Sequence, residues 1–202
     1  TYLEAQTIMK GIANRLYELG VRHGDKVGVS GKNSPEWAMA YLAISYAGAV
    51  IVPVDYSLPE AVIENFLSFA EAKVLFMDHE KVESINMDIP KIVLDIEAEN
   101  DIYHTQSKKQ HPIEYSTGKD LAAIMFTSGT TGTPKGVMLS HENLTSDIWK
   151  AQGLMNIYDD DVFYAILPIH HAYTMLAVFL EGIGSGAKVV FGKKLVVKQI
   201  FK

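Results

Sequence analysis

The 202-residue chain contains no cysteine. Structural disulfides, thiolate zinc sites and a cysteine nucleophile are excluded at once. The composition fits a reducing compartment, so the expectation is a cytoplasmic protein. Excess positive charge is also lacking: 18 Lys and Arg stand against 24 Asp and Glu, for a formal net charge of -6. No nucleic-acid-binding face is expected from that balance. The start, Thr1-Tyr2-Leu3-Glu4, has neither a basic end nor an apolar run, so no signal peptide is read there. It also lacks an initiator Met, which points to a trimmed chain. Unbroken membrane-length runs are missing too. Trp37 to Val54 and Val162 to Leu180 are uncharged, but Ser45, Gly48 and Pro53 interrupt the first, and Pro168, His170 and His171 the second. Such breakers and imidazoles fit a buried helix and strand, with no transmembrane segment.

What is present is an alternation of helical and strand patterns. Ala5, Ile8, Met9, Ile12, Leu16 and Leu19 recur at helical spacing, with Gly20 placed to end the helix. Lys26 to Ser30 reads as a strand. Ser34-Pro35-Glu36 supplies an N-cap, a first-turn proline and an early acid for a helix through Tyr46, stopped at Gly48. Ala49 to Val54 is an apolar run suited to a strand covered on both faces. Pro59 to Ala70 predicts a helix, then Lys73 to Met77 and Lys91 to Asp95 predict strands. Ile96 to Asp120 is polar and without periodicity, and reads as a surface connection. Leu121 to Phe126 is a buried strand. Ser140 caps a helix to about Gly153, Val162 to Leu167 is a strand, Ala172 to Glu181 a helix, and Ala187 to Phe191 a strand. Leu195 to Phe201 reads as the start of a further helix. The expected class is α/β: a layered fold with a largely parallel sheet and flanking helices. Its expected divisions are residues 1–95, the connection 96–120, and residues 121–202.

The chemistry concentrates in one loop. Every position from Thr127 to Thr133 is a hydroxyl residue or a glycine, and Pro134, Lys135 and Gly136 follow. Gly129 and Gly132 let the backbone approach a ligand closely, and successive N–H groups can converge on an anion. The hydroxyls of Thr127, Ser128, Thr130, Thr131 and Thr133 add small donors, and Lys135 adds a point charge suited to phosphate. The run lacks the Gly-Lys-Ser/Thr ending of a Walker A loop and the glycine spacing of a dinucleotide fingerprint. A flexible surface linker of the same composition is the plain alternative. It is disfavoured because the run lies between the apolar segments Ala122–Phe126 and Gly136–Leu139.

The run Thr127-Ser128-Gly129-Thr130-Thr131-Gly132-Thr133-Pro134-Lys135-Gly136-Val137 resembles the signature of the adenylate-forming superfamily. That superfamily includes acyl-CoA synthetases, coumarate-type ligases, luciferases and peptide-synthetase adenylation domains. Thr1-Tyr2-Leu3-Glu4, Gly24-Asp25-Lys26-Val27 and Ala47 to Asp55 resemble further family blocks in the family's order. Leu167-Pro168-Ile169-His170-His171 is similar to the Leu-Pro-x-x-His block of fatty-acyl and aryl-CoA synthetases. The resemblance implies the N-terminal part of the acyl-activating enzyme fold. It also implies ATP, magnesium and coenzyme A as partners, with a carboxylic acid, chiefly a fatty acid, as substrate. The cradle would be Thr127, Ser128, Gly129, Thr130, Thr131, Gly132, Thr133, Lys135 and Gly136, with Lys135 catalytic and Thr127 near the magnesium. His171 matches the family histidine of the acyl pocket. The residues leave His170 undecided, and Thr174 stands where long-chain members often carry an acid.

The resemblance also implies parts without a counterpart here: a magnesium-binding glutamate, a ribose-binding aspartate and a C-terminal lysine. The expectation is therefore an inactive N-terminal fragment, prone to self-association, of a parent with peripheral membrane contact. A non-catalytic nucleotide-binding module and an amino-acid or aryl-acid adenylating domain are the rival readings. Three other features carry less. Asp101, His104 and His111 have no standard metal-ligand spacing. Asp159-Asp160-Asp161 reads as an exposed turn before a strand, and Asn143-Leu144-Thr145 as a chance glycosylation match.

Overall fold

A computed structural model describes residues 1–95, 101–127 and 135–192. Helix α1 (Tyr2–Glu18) opens on a capping box: the Thr1 hydroxyl accepts the Glu4 N–H, and Glu4 reaches back to Thr1. It buries Ile12, Ala13 and Leu16, and Gly20 turns the chain at φ 89°. Strand β1 (Lys26–Ser30) follows. Helix α2 (Pro35–Tyr46) starts where Ser34 accepts the Trp37 N–H at 3.0 Å. It ends before Gly48, whose φ of 71° leaves no place for a Cβ beside the Glu114 carbonyl.

Strand β2 (Val50–Pro53), helix α3 (Glu60–Phe69), strand β3 (Ala72–Met77), the short helix α4 (His79–Val82) and strand β4 (Lys91–Val93) complete the first half. Strands β5 (Leu121–Thr127) and β6 (Lys135–Ser140) then join the same sheet, whose order is β4-β3-β1-β2-β5-β6. All neighbours are parallel except β5 and β6, which pair antiparallel. Its inner strands are buried on both faces and carry apolar residues on both sides. Val27, Val29, Ile51, Val74 and Phe76 meet Leu16, Trp37 and Ile44 on the face of α1 and α2. Val50, Val52, Leu75 and Met77 meet Ile63 and Leu67 of α3 on the other.

Helix α5 (His141–Leu154) is capped by Ser140, in a box closed by Asn143. Strand β7 (Val162–Ala165) pairs parallel with β8 (Lys188–Phe191) in a separate two-stranded sheet. Between them run α6 (Ala172–Thr174), a π-helical stretch (Met175–Leu180) and α7 (Glu181–Gly184). Phe179 of the π stretch packs edge-on against Trp37 and Tyr41, with centroids at 6.3 and 5.4 Å, and ties this part to α2. No described helix is long and apolar enough to cross a membrane.

Two expectations are corrected. The polar stretch from Ile96 to Asp120 is not wholly a surface connection: Asp101 and Ile102 are buried, and the Ile102 N–H donates to the Val93 carbonyl at 2.8 Å. Burial is tolerated because the Asp101 carboxylate accepts the N–H groups of Tyr103 and His104 and bonds the His104 ring. The strand expected through Leu167 ends at Ala165; beyond it the Leu167 carbonyl accepts from the side chain of Asn33, in the loop after β1. The helix read from Leu195 to Phe201 lies outside the described residues.

Candidate functional site

Parallel strands β1, β2 and β5 lie side by side, so their carboxyl ends open on one edge of the sheet. In open α/β sheets that edge is where ligands bind. Asn33 follows β1, Asp55 follows β2, and Thr127 ends β5. Strands β2 and β5 pair at Ile51↔Ala123.

The glycine-rich loop leaves this edge from β5 and returns through β6. Thr127 and Lys135 form the last cross-strand pair before it, so their side chains project from one face of the sheet. Both are exposed, and the Lys135 ammonium has no ion pair among the described residues. An uncompensated ammonium beside a free hydroxyl suits a phosphate anion. Thr127 could offer a magnesium ion a single oxygen, the rest coming from phosphate and water. Among the described residues no three acids or histidines gather as a metal cluster, so Asp101, His104, His111 and Asp159 to Asp161 form none. Ser128, Gly129, Thr130, Thr131, Gly132 and Thr133 lie outside the described residues. Phe126 anchors the loop's start, stacked on Phe66 at 4.5 Å with Phe69 edge-on at 6.0 Å. Gly136 sits opposite Phe126, and a Cβ there would stand 2.9 Å from Ile124 Cγ2. The strand pairing itself therefore calls for that glycine.

The histidine segment reaches the same edge from β7. The Asn33 amide is buried and donates to the carbonyls of Ala165 and Leu167 at 2.9 and 2.7 Å. Its oxygen accepts the Ile169 N–H at 2.8 Å. His170 turns inward, with its Nε2 3.7 Å from Asp55 Oδ2. Burial pushes the His170 imidazole down to about 4, against the pull of Asp55, so the ring is neutral near pH 7. Burial alone would raise the Asp55 carboxyl. The Ser57 N–H and hydroxyl, and then the two imidazoles, outweigh it and hold the carboxyl below its usual range. His171 is exposed, precedes α6 without a side-chain capping bond, and its ring centroid lies 4.2 Å from that of His170.

Residues 1–201 match the AMP-binding enzyme family. The chain belongs to that family. It is 32% identical over 213 residues to 4-coumarate–CoA ligase 4 of Arabidopsis thaliana, covering 94% of this chain and 37% of the relative. Long chain acyl-CoA synthetase 5 of the same plant is 27% identical, over 86% of this chain and 30% of its own length. Among solved structures, ATP-bound MatB from Rhodopseudomonas palustris superposes with a TM-score of 0.88 at 28% identity, over 98% of this chain and 41% of that one. The chain thus spans under two-fifths of the length of these curated relatives.

Within this family frame, the structure brings Thr127, Lys135 and Gly136 together at the hairpin, and His171 to the same sheet edge through Asn33 and Asp55. The sequence carries little signal for Asn33, a polar residue beside a helix cap, or for Asp55, which closes an apolar strand. One more buried acid lies further along this edge. Asp78, just past β3, accepts the Lys32 N–H at 3.0 Å. Burial pushes its carboxyl up to about 6; Asp95 and Glu80 add to the rise, and Lys32 opposes it.

Proposed function

We propose that this chain supplies the N-terminal, phosphate-gripping part of an ATP-dependent acid–CoA ligase acting on a fatty acid. The observation that carries the reading is the Thr127–Lys135 pair at the mouth of the glycine-rich loop, on the sheet edge that also receives His171. In the first step a carboxylate oxygen would form a bond to the α-phosphorus of ATP while the bond to the bridging oxygen breaks and pyrophosphate leaves. In the second, the sulfur of coenzyme A would form a thioester with the acyl carbon, releasing AMP and the thiol proton. Lys135 and the loop would hold the β- and γ-phosphates and stabilise charge on the departing pyrophosphate. Thr127 would contribute one ligand to a magnesium ion carried by the nucleotide. His171 would line the acyl pocket near the reacting carboxylate.

A second reading, an aryl acid as substrate, is favoured by the likeness to 4-coumarate–CoA ligase 4. The test is exchange of labelled pyrophosphate into ATP by the complete polypeptide, with fatty, aryl and amino acids in turn. Exchange driven by fatty acids is the expected result, and exchange driven by aryl acids alone selects the second reading. No acid-dependent exchange at all would leave a nucleotide-binding module and overturn the enzyme reading.

A further inference from the structure

The segment carrying His171, residues 166–171 between β7 and α6, has no helix or strand. Such a stretch has backbone groups to satisfy and, on its own, little to fix its direction. Asn33 does both. Its two amide hydrogens and its oxygen are all engaged, so flipping the carboxamide would lose the whole set. The second hold is on the side chain next to His171. Asp55 is itself pinned, with Oδ1 accepting the Ser57 N–H and hydroxyl at 2.8 Å each. That leaves Oδ2 to face the His170 ring from 3.7 Å; the ring's side chain is only 10% exposed, and its Nε2 has no hydrogen-bond partner among the described residues. His170 in turn lies against His171. The contacts form a line, Ser57–Asp55–His170–His171, from the end of β2 to the exposed imidazole.

We infer that Asn33 and Asp55, the polar residues beyond β1 and β2, are positioning residues for the His171 imidazole. The inference rests on the acid–CoA ligase reading of the site. Asn33 sets the path of the backbone, and Asp55 sets the ring against which His171 packs. Strand β5, which ends at Thr127, is the sheet neighbour of β2, which Asp55 follows, so one sheet edge carries both the phosphate grip and the hold on the histidine pair. Displacement of a reacting group by about 1 Å can cost on the order of a hundredfold in rate, which is the scale on which such holds matter.

Two isosteric variants of the complete polypeptide test it. Asp55→Asn keeps an oxygen for Ser57 and drops the charge facing His170. Asn33→Asp keeps the acceptor for the Ile169 N–H and loses both donors. Each is expected to lower kcat of acid-dependent ATP–pyrophosphate exchange about tenfold, within the range that misplacement produces, with KM for ATP unchanged. In a His171→Ala background neither is expected to lower it further. The histidine ring signals in a proton–nitrogen correlation spectrum give a readout independent of activity. Those of His171 should move in both variants while those of His104 and His111 stay in place. A loss that persists at full size in the His171→Ala background would reveal a general structural role and overturn the inference, as would an unmoved His171 signal in a folded variant. Should Asn33→Asp fail to fold, Asp55→Asn carries the same test alone. If the unmodified protein shows no acid-dependent exchange, the enzyme reading fails, and the ring spectrum still decides the positioning.

Discussion

Asn33 donates to the Leu167 carbonyl at 2.7 Å although 134 positions separate them along the chain. The bond joins the end of β1 to the segment behind β7, and two more from the same amide lock it. Removing that amide leaves the buried Ile169 N–H and the part-buried Leu167 carbonyl to find new partners. Asn33→Ala is expected to cost about 2–4 kcal/mol, the range for breaking a buried hydrogen-bond set. Urea unfolding followed by tryptophan fluorescence measures it, and a loss of only a few tenths would contradict the clamp.

Lys135 is exposed and has no ion pair among the described residues, so the fold does not need its charge. Lys135→Ala is expected to leave the melting temperature within a degree or so, as is usual for an exposed side chain without partners. In the complete polypeptide, pyrophosphate exchange should fall about tenfold or more, since a charge-assisted phosphate contact contributes roughly 1.5–3 kcal/mol. Equal exchange in the two proteins would remove Lys135 from the phosphate grip.

Asp78 and His170 push the pH dependence of stability in opposite directions. The Asp78 carboxyl, raised to about 6, favours folding below its unfolded value and loses that contribution as pH rises through 6. The His170 imidazole, lowered to about 4, contributes stability above its unfolded value and loses it as pH falls toward 4. Asp78→Asn should therefore gain stability relative to the parent as pH rises from about 4 to 6, by about 1–2 kcal/mol at pH 7. His170→Phe should gain relative to the parent as pH falls from about 6.5 to 4. Denaturation midpoints across that window check both, and parallel curves for variant and parent would refute the assignment.

Gly136 has little room for a methyl group, because Ile124 Cγ2 would stand 2.9 Å from it. Gly136→Ala is expected to destabilise by about 1–3 kcal/mol, the usual cost of overpacking. Thermal unfolding gives the number. A glycine needed only for phosphate approach would instead show lost ATP binding at unchanged stability.

The elements that could be read from the sequence are those with local signals. Ser34-Pro35 fixes the start of α2, Ser140 the start of α5, and β1 runs over the residues predicted for it. The pairing of Gly136 to Leu139 was not legible, because an apolar run does not say which neighbour it meets or in which direction. Ile102 hides in a polar stretch for the same reason: one buried residue makes no period. At the site, the motifs point to Lys135 and His171 but say nothing of the contacts around them. The partners of Asn33 lie 132 to 136 positions away, beyond any pattern of spacing. Nor does a His-His pair announce which ring turns in; the structure buries His170 and exposes His171.

The Thr127–Lys135 pairing has a bearing on how such a protein can vary. The ladder from Leu121 to Ser140 already brings both ends of the glycine-rich loop together. Chain-closure entropy changes slowly with length, by about 0.6 kcal/mol for a doubling. Substitutions or single insertions between the two residues should then act on ligand affinity with little effect on folding yield. A library confined to Ser128–Pro134 would consist largely of expressible proteins, sorted by what they bind.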